Sequence, residues 1–150
     1  NVVLIGMPGC GKSAVGRALA RRLGKEFLDL DRLIEAEAGK PIPEIFAEEG
    51  EDAFRALESA AARKAGARTG CILSTGGGAV TRPENYAPLH RNRSLKKLPT
   101  AGRPVSQSTD LRELWRRREP LYQSFADLTA DNNGSIEDTV HTVLKEVNGR

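Results

Sequence analysis

Val2-Val3-Leu4-Ile5-Gly6-Met7-Pro8-Gly9-Cys10-Gly11-Lys12-Ser13 opens the chain after a single asparagine. The first four residues are apolar and three of them are β-branched, the composition of a strand buried on both faces of a parallel sheet. The next eight fit G-x-x-x-x-G-K-[ST] throughout. Beyond them Val15, Leu19 and Leu23 recur at four-residue steps, which predicts an amphipathic helix ending at Gly24. Glycines let the backbone wrap closely around phosphates with successive N–H groups turned inward, and the helix N-terminus adds its positive dipole end. In this motif Lys12 reaches the β- and γ-phosphates and Ser13 holds Mg²⁺. The alternative, an ordinary tight turn that happens to carry Lys-Ser, is disfavoured by the strand before it and the helix after it. The loop implies a nucleoside triphosphate and leaves the reaction open.

Outward from this stretch, strands alternate with helices. Phe27-Leu28-Asp29-Leu30 reads as a second strand, and Asp31 is placed to cap a helix containing Leu33 and Ile34. Pro43 suits the first turn of a further helix holding Ile45 and Phe46. A longer helix follows, with Ala53, Phe54, Leu57 and Ala61 on its inner face. Cys71-Ile72-Leu73-Ser74 is a third strand, stopped by Gly76-Gly77-Gly78. Pro83 to His90 predicts a short helix, and Arg91 to Gln107, basic and interrupted by prolines, a mobile loop. Asp110 to Arg118 predicts a helix with Leu111, Leu114 and Trp115 on one side, and Phe125 to Ala130 a weak strand. Ser135-x-x-Asp138 is an acidic variant of the capping box and opens a last helix striped by Val140, Val143, Leu144 and Val147. The class is α/β with a parallel sheet, in one domain spanning 1–150. Between Gly78 and Arg118, however, no apolar run is fit to be a buried strand, because Leu89, Leu95 and Leu98 stand isolated among basic and polar residues. One strand is therefore expected to be missing from the sequence near Asn92. Asn1, set directly against a strand with no initiator Met, suggests trimming.

Composition narrows the function classes. No apolar run approaches the roughly 18 residues of a membrane span, and no signal-peptide pattern opens the chain. A net charge of +3 is too mild to argue for nucleic acid, and aromatic residues at 5% give little for base stacking. Cys10 and Cys71 match no metal-ligand spacing and are read as reduced. His90 and His141 have no visible partner and are expected at the surface. A cytoplasmic enzyme is the expectation.

The acceptor side rests on four features. Asp29 and Asp31 stand at i, i+2 at the carboxyl end of a strand, a parity that turns both to one face, toward the crevice where open α/β sheets bind ligands. One acid can serve a metal shell while the other meets an acceptor hydroxyl, although a helix cap and a solvated acid explain the pair equally well. Gly76, Gly77 and Gly78 fit either close backbone approach to a ligand or a flexible turn. Arg55, with Glu58 at i+3, reads unaided as a surface ion pair, and Arg118 ends a run of three arginines of the kind that usually forms a solvated face.

Taken together, G-M-P-G-C-G-K-S, F-L-D-L-D, I-F-A-E-E-G-E-D-A-F-R-A-L-E, L-S-T-G-G-G-A-V, G-R-P and R-E-P-L-Y resemble the shikimate kinase family, over nearly the whole chain. The phosphate loop is widely shared, whereas the D-x-D, F-R-x-x-E, G-G-G and R-x-P-L-Y set in this order is specific. The resemblance implies a three-layer α/β/α P-loop kinase with a five-stranded parallel sheet in the order 2-3-1-4-5. It implies acceptor-binding helices at about residues 32–67 and a lid at about 93–108. The implied reaction is transfer from ATP to shikimate, with Mg²⁺, in chorismate and aromatic amino acid biosynthesis. Gly9, Cys10, Gly11, Lys12, Ser13 and Ala14 then hold the ATP phosphates, while Ser13 and Asp29 hold Mg²⁺. Ser74 matches the family's serine near the metal. Asp31 orients or deprotonates the attacking hydroxyl. Arg55, Arg118 and the backbone at Gly76, Gly77 and Gly78 clamp the acceptor, a planar guanidinium pair being suited to a carboxylate. Arg103 resembles the lid arginine that offsets transition-state charge. The adenine loop falls near Asn132 to Ser135, while the family's adenine-contacting lid arginine has no assigned counterpart, Arg93 being one candidate. A monomer is expected, with no nucleic-acid or membrane partner. Two other readings keep the phosphate loop: another small-molecule kinase of the superfamily, such as a gluconate kinase, and a nucleotide-binding module without acceptor chemistry.

Overall fold

The computed structural model describes residues 1–90, 95–97 and 109–148. The four apolar residues Val2–Ile5 form β1, all four buried, and β1 lies at the centre of the sheet because only such a run can be covered on both faces. The remaining strands are β2 (Glu26–Asp29), β3 (Cys71–Ser74), β4 (Leu95–Lys97) and β5 (Leu128–Thr129). All pairings are parallel and the sheet order is β2-β3-β1-β4-β5, with Val3 opposite Leu73 on one side and Leu95 on the other. The family resemblance places a strand beside β1 on that second side, but no apolar run between Gly78 and Arg118 offered one. Leu95-Lys96-Lys97 takes the place, and the expectation that the chain lacks this strand is corrected. Parallel pairing is made by backbone groups, which a Leu-Lys-Lys run offers as fully as an apolar one.

The helices are α1 (Lys12–Leu23), α2 (Leu30–Ala38), α3 (Ile42–Gly66), α4 (Tyr86–His90), α5 (Thr109–Phe125) and α6 (Ile136–Asn148). α1 packs on β1, β2 and β3 and is itself covered by α6, while α3 packs with α2 and α4. Leu30 begins α2 instead of ending β2, and Asp29 is the residue that caps it, its Oδ1 accepting from the Asp31 N–H at 3.2 Å. The cap expected at Asp31 is thus corrected by two residues. Ile42–Gly66 holds the two expected helices, joined through Gly50 at φ 83° and ψ 175°. α5 runs through Pro120 to Phe125, beyond the expected end at Arg118. The box at the start of α6 closes both ways: Ser135 Oγ accepts from the Asp138 N–H at 3.1 Å, and Asp138 Oδ2 accepts from the Ser135 N–H at 3.1 Å. His90 is not a free surface residue, since its ring stacks on Tyr86 with centroids 3.6 Å apart. Arg93 and Arg103, and all but Leu95–Lys97 of the loop expected at Arg91 to Gln107, lie outside the described residues. Among the described residues, no helix is long and apolar enough to cross a membrane.

Candidate active site

The turn from β1 into α1 forms one wall of the site. Gly9 and Gly11 adopt φ 73° and 89°, a left-handed backbone that a side chain would strain. Gly11 is the N-terminal flank of α1, so the first helical amides face the hollow that Gly9, Gly11, Lys12, Ser13 and Ala14 line. Lys12 is 7% exposed, and its ammonium donates to the loop carbonyls of Gly6 at 2.9 Å and Met7 at 2.7 Å. Cys10 lies behind the loop, buried and free.

Below the loop three oxygen groups converge. Ser13 Oγ donates to Asp29 Oδ2 at 2.8 Å and lies 3.3 Å from Ser74 Oγ. Hydroxyls and a carboxylate without sulfur or imidazole suit a small hard cation that keeps several waters, so the set fits Mg²⁺. Asp31 faces the same hollow from the first turn of α2. Both acids line one hollow, but Asp31 reaches it from a helix and not through the strand parity expected of the pair. Burial, and then the Asp29 carboxylate, push the Asp31 carboxyl above its ordinary value, while Lys12 and Arg55 act against the rise.

The opposite wall comes from α3, α5 and the glycine segment after β3. Arg55, 8% exposed, donates from Nη1 to Glu58 Oε2 at 2.7 Å, and Glu58 is fully buried. This is no surface ion pair. The three glycines keep the walls close. A Cβ at Gly76 would stand 2.8 Å from both Asp31 Oδ1 and Glu58 Oε1, one at Gly77 would stand 2.4 Å from Pro8 Cδ, and one at Gly78 would stand 2.1 Å from Arg55 Nη1. None of the three has a positive φ. The crowding comes from the protein's own groups: the Pro8 ring and backbone exclude a side chain at Gly77, while the ends of Asp31, Glu58 and Arg55 stand against Gly76 and Gly78. Lys12, Ser13, Asp29, Asp31, Arg55, Ser74, Arg118 and all three glycines share one hollow of about 520 Å³. Ile42, Phe46, Phe54 and Leu114 supply its apolar lining.

Three residues in or behind this wall were given no role in reading the sequence. Glu58 stands in the F-R-x-x-E run and reads as a surface acid until the helix is seen to turn it inward. Its Oε1 has no hydrogen-bond partner among the described residues, and burial raises its carboxyl above the ordinary value against the pull of Arg55. Tyr122 closes the R-E-P-L-Y run. It is fully buried, its hydroxyl donates to the Gly77 carbonyl at 2.5 Å, and burial pushes that hydroxyl up to about 12. Thr75 fixes the start of the glycine segment, donating from both N–H and Oγ1 to the Leu4 carbonyl at 3.1 Å.

The comparisons with known proteins agree with one another. The family model described as shikimate kinase matches residues 8–148. The shikimate kinase of Neisseria meningitidis serogroup C is 38% identical over 163 positions, covering 98% of this chain and 95% of that protein. That of Symbiobacterium thermophilum is 37% identical over 169 positions, covering 100% and 97%. Both alignments are longer than the 150 residues of this chain, so these relatives carry internal positions that it lacks. The solved shikimate kinase of Acinetobacter baumannii in complex with shikimate superposes with a TM-score of 0.88 at 34% identity, covering 99% of this chain and 93% of the other. The chain belongs to the shikimate kinase family.

Proposed function

We propose that this chain transfers the γ-phosphoryl group of ATP to the 3-hydroxyl of shikimate, giving ADP and shikimate 3-phosphate, within chorismate and aromatic amino acid biosynthesis. One observation carries the reading: Asp31, Arg55 and Arg118 line the same hollow as Lys12 and the phosphate loop. A phosphate donor site and a pocket offering a carboxylate and two guanidinium groups thus stand side by side, as transfer to a small acidic polyol requires. Lys12 and the amides of Gly9 to Ala14 hold the phosphates. Ser13 and Asp29, with Ser74 beside them, hold Mg²⁺, which when bound offsets phosphate charge. Asp31 accepts the hydrogen bond of the attacking hydroxyl and takes its proton as the bond to phosphorus forms. Arg55 and Arg118 grip the carboxylate of the acceptor, and Arg103, outside the described residues, closes over the transferring phosphoryl group.

The sheet order β2-β3-β1-β4-β5, with the phosphate loop after the central strand, supports a three-layer kinase fold. The same reading makes the chain a single-domain cytoplasmic monomer whose lid spans about residues 93–108. The match to the shikimate kinase family argues against a gluconate-type acceptor, and the buried Arg55–Glu58 pair beside Asp31 argues against a module without acceptor chemistry. A coupled ADP-release assay over shikimate, gluconate and nucleoside monophosphates tests the assignment. Turnover is expected with shikimate alone. Equal turnover with gluconate, or ADP release indifferent to every acceptor, overturns it.

A further inference from the structure

Asn132 lies in the turn between β5 and α6, far along the chain from the phosphate loop, yet it is 2% exposed and touches that loop. Its Nδ2 donates to the Cys10 carbonyl at 2.6 Å, and its Oδ1 accepts from Thr139 Oγ1 at 2.8 Å. Thr139 is equally buried, at 1%. A carbonyl can only accept, so the Cys10 oxygen decides which end of the amide faces it, and the threonine hydroxyl satisfies the other end. Thr139 Oγ1 also lies 3.2 Å from the Ser135 carbonyl and 3.3 Å from that of Asp131, but the contact with Asn132 is the shortest of the three.

The consequence lies on the far side of one peptide bond. A trans peptide holds its C=O and the following N–H on opposite sides, and no described bond is cis. With the Cys10 carbonyl turned back toward Asn132, the Gly11 N–H is turned the other way, toward the hollow that Gly11 lines and Cys10 does not. A peptide preceding glycine is the easiest in a chain to flip, because the glycine accepts either orientation without a steric penalty. Flipped, this one would present a carbonyl oxygen to an anion where it now presents a donor. The loop needs a restraint at this bond, and the glycine that allows the cradle cannot supply it.

We propose that Asn132, held by Thr139, is a positioning residue for the phosphate loop, locking the Cys10–Gly11 peptide so that the Gly11 amide faces the nucleotide phosphates. The inference rests on the reading of that loop as the ATP site. It assigns the β5–α6 turn a task in phosphate binding that is separate from any contact with the base.

The test compares Asn132→Asp, Thr139→Val and Thr139→Ser by calorimetric titration with Mg²⁺-ADP, titration with shikimate, and steady-state kinetics. Asn132→Asp keeps the shape but sets an acceptor oxygen against the Cys10 carbonyl, and is expected to weaken ADP binding about tenfold or more. Thr139→Val keeps the volume and removes the hydroxyl, and about a threefold loss is expected, with Thr139→Ser restoring affinity. In both damaged variants the KM for ATP rises while shikimate affinity stays at the parent value. A merely structural role would lower the melting temperature and leave the ADP affinity of the folded protein within about twofold, and that result overturns the inference. Should Asn132→Asp fail to fold, the valine and serine pair decides alone. A parent chain that binds no ADP overturns the ATP reading and this inference with it.

Discussion

Asp31 carries opposing demands, since burial and Asp29 favour its protonated form whereas accepting a proton from the acceptor requires the ionised one. The sign of the stability effect follows from linkage. Below the ordinary aspartate value, folded and unfolded chains both hold the proton. As pH rises the unfolded chain releases it first, so stability falls until the folded carboxyl has ionised as well, and at neutral pH the full cost is present. Asp31→Asn removes that cost. The variant is expected to melt higher than the parent at neutral pH while turnover collapses and nucleotide affinity is retained. Thermal melts at pH 4 and pH 7.5, where the gain should be small and large respectively, check the origin of the effect. The acid limb of the parent's kcat/KM profile should lie above that of an ordinary aspartate. Glu58 is the converse case. Glu58→Ala leaves Arg55 with the exposed Glu51, 3.3 Å from its Nη2, in place of its buried partner, which should cost about 1–3 kcal/mol of stability and weaken shikimate binding more than ADP binding. Unchanged acceptor affinity in a folded Glu58→Ala protein would show that Arg55 needs no help to hold its place.

At the scale of elements, α3 shows why local pattern reading stops short. Two helices were legible in the spacing of Ile45, Phe46, Phe54 and Leu57, but not the angle between them, which Gly50 sets at φ 83° and ψ 175°. That region of backbone space is open essentially to glycine, and nothing crowds the position where its Cβ would be, so conformation alone demands glycine here. The bend brings Ile42 and Phe46 of the first segment over the same hollow as Phe54 and Arg55 of the second. Gly50→Ala is therefore expected to cost about 1–3 kcal/mol and to raise the shikimate KM while sparing the KM for ATP. An alanine variant with parent kinetics and stability would remove the bend from the design of the pocket. α5 misled the reading in the other direction. Pro120 takes away one backbone donor, normally the end of a helix, yet buried Tyr122 and Phe125 hold the following turn against the core. Tertiary anchoring of that kind has no signature in a window of sequence.

For the whole molecule, what was legible is what depends on short-range order: the phosphate loop, the two acids, the glycine triplet and the alternation of strands with helices. What was not legible depends on chain segments that meet only after folding, such as Tyr122 at Gly77 and Asn132 at Cys10, or on a strand as polar as Leu95–Lys97. Those long-range contacts tie the two halves of the site into one body. Pro8 of the phosphate loop lies against Gly77, whose carbonyl is held by Tyr122 from α5. The donor and acceptor walls should accordingly unfold together. Either ligand alone, Mg²⁺-ADP or shikimate, is expected to raise one common melting transition. At about 100 times its dissociation constant each contributes about 2.7 kcal/mol, which for a chain of this size moves the midpoint by roughly 5–10 °C. Added together, the two shifts should sum if the sites are thermodynamically independent and exceed the sum if filling one orders the other. Two separate transitions, with each ligand moving only its own, would mean that the walls belong to different cooperative units, and the shared hollow would not be a site built as one piece.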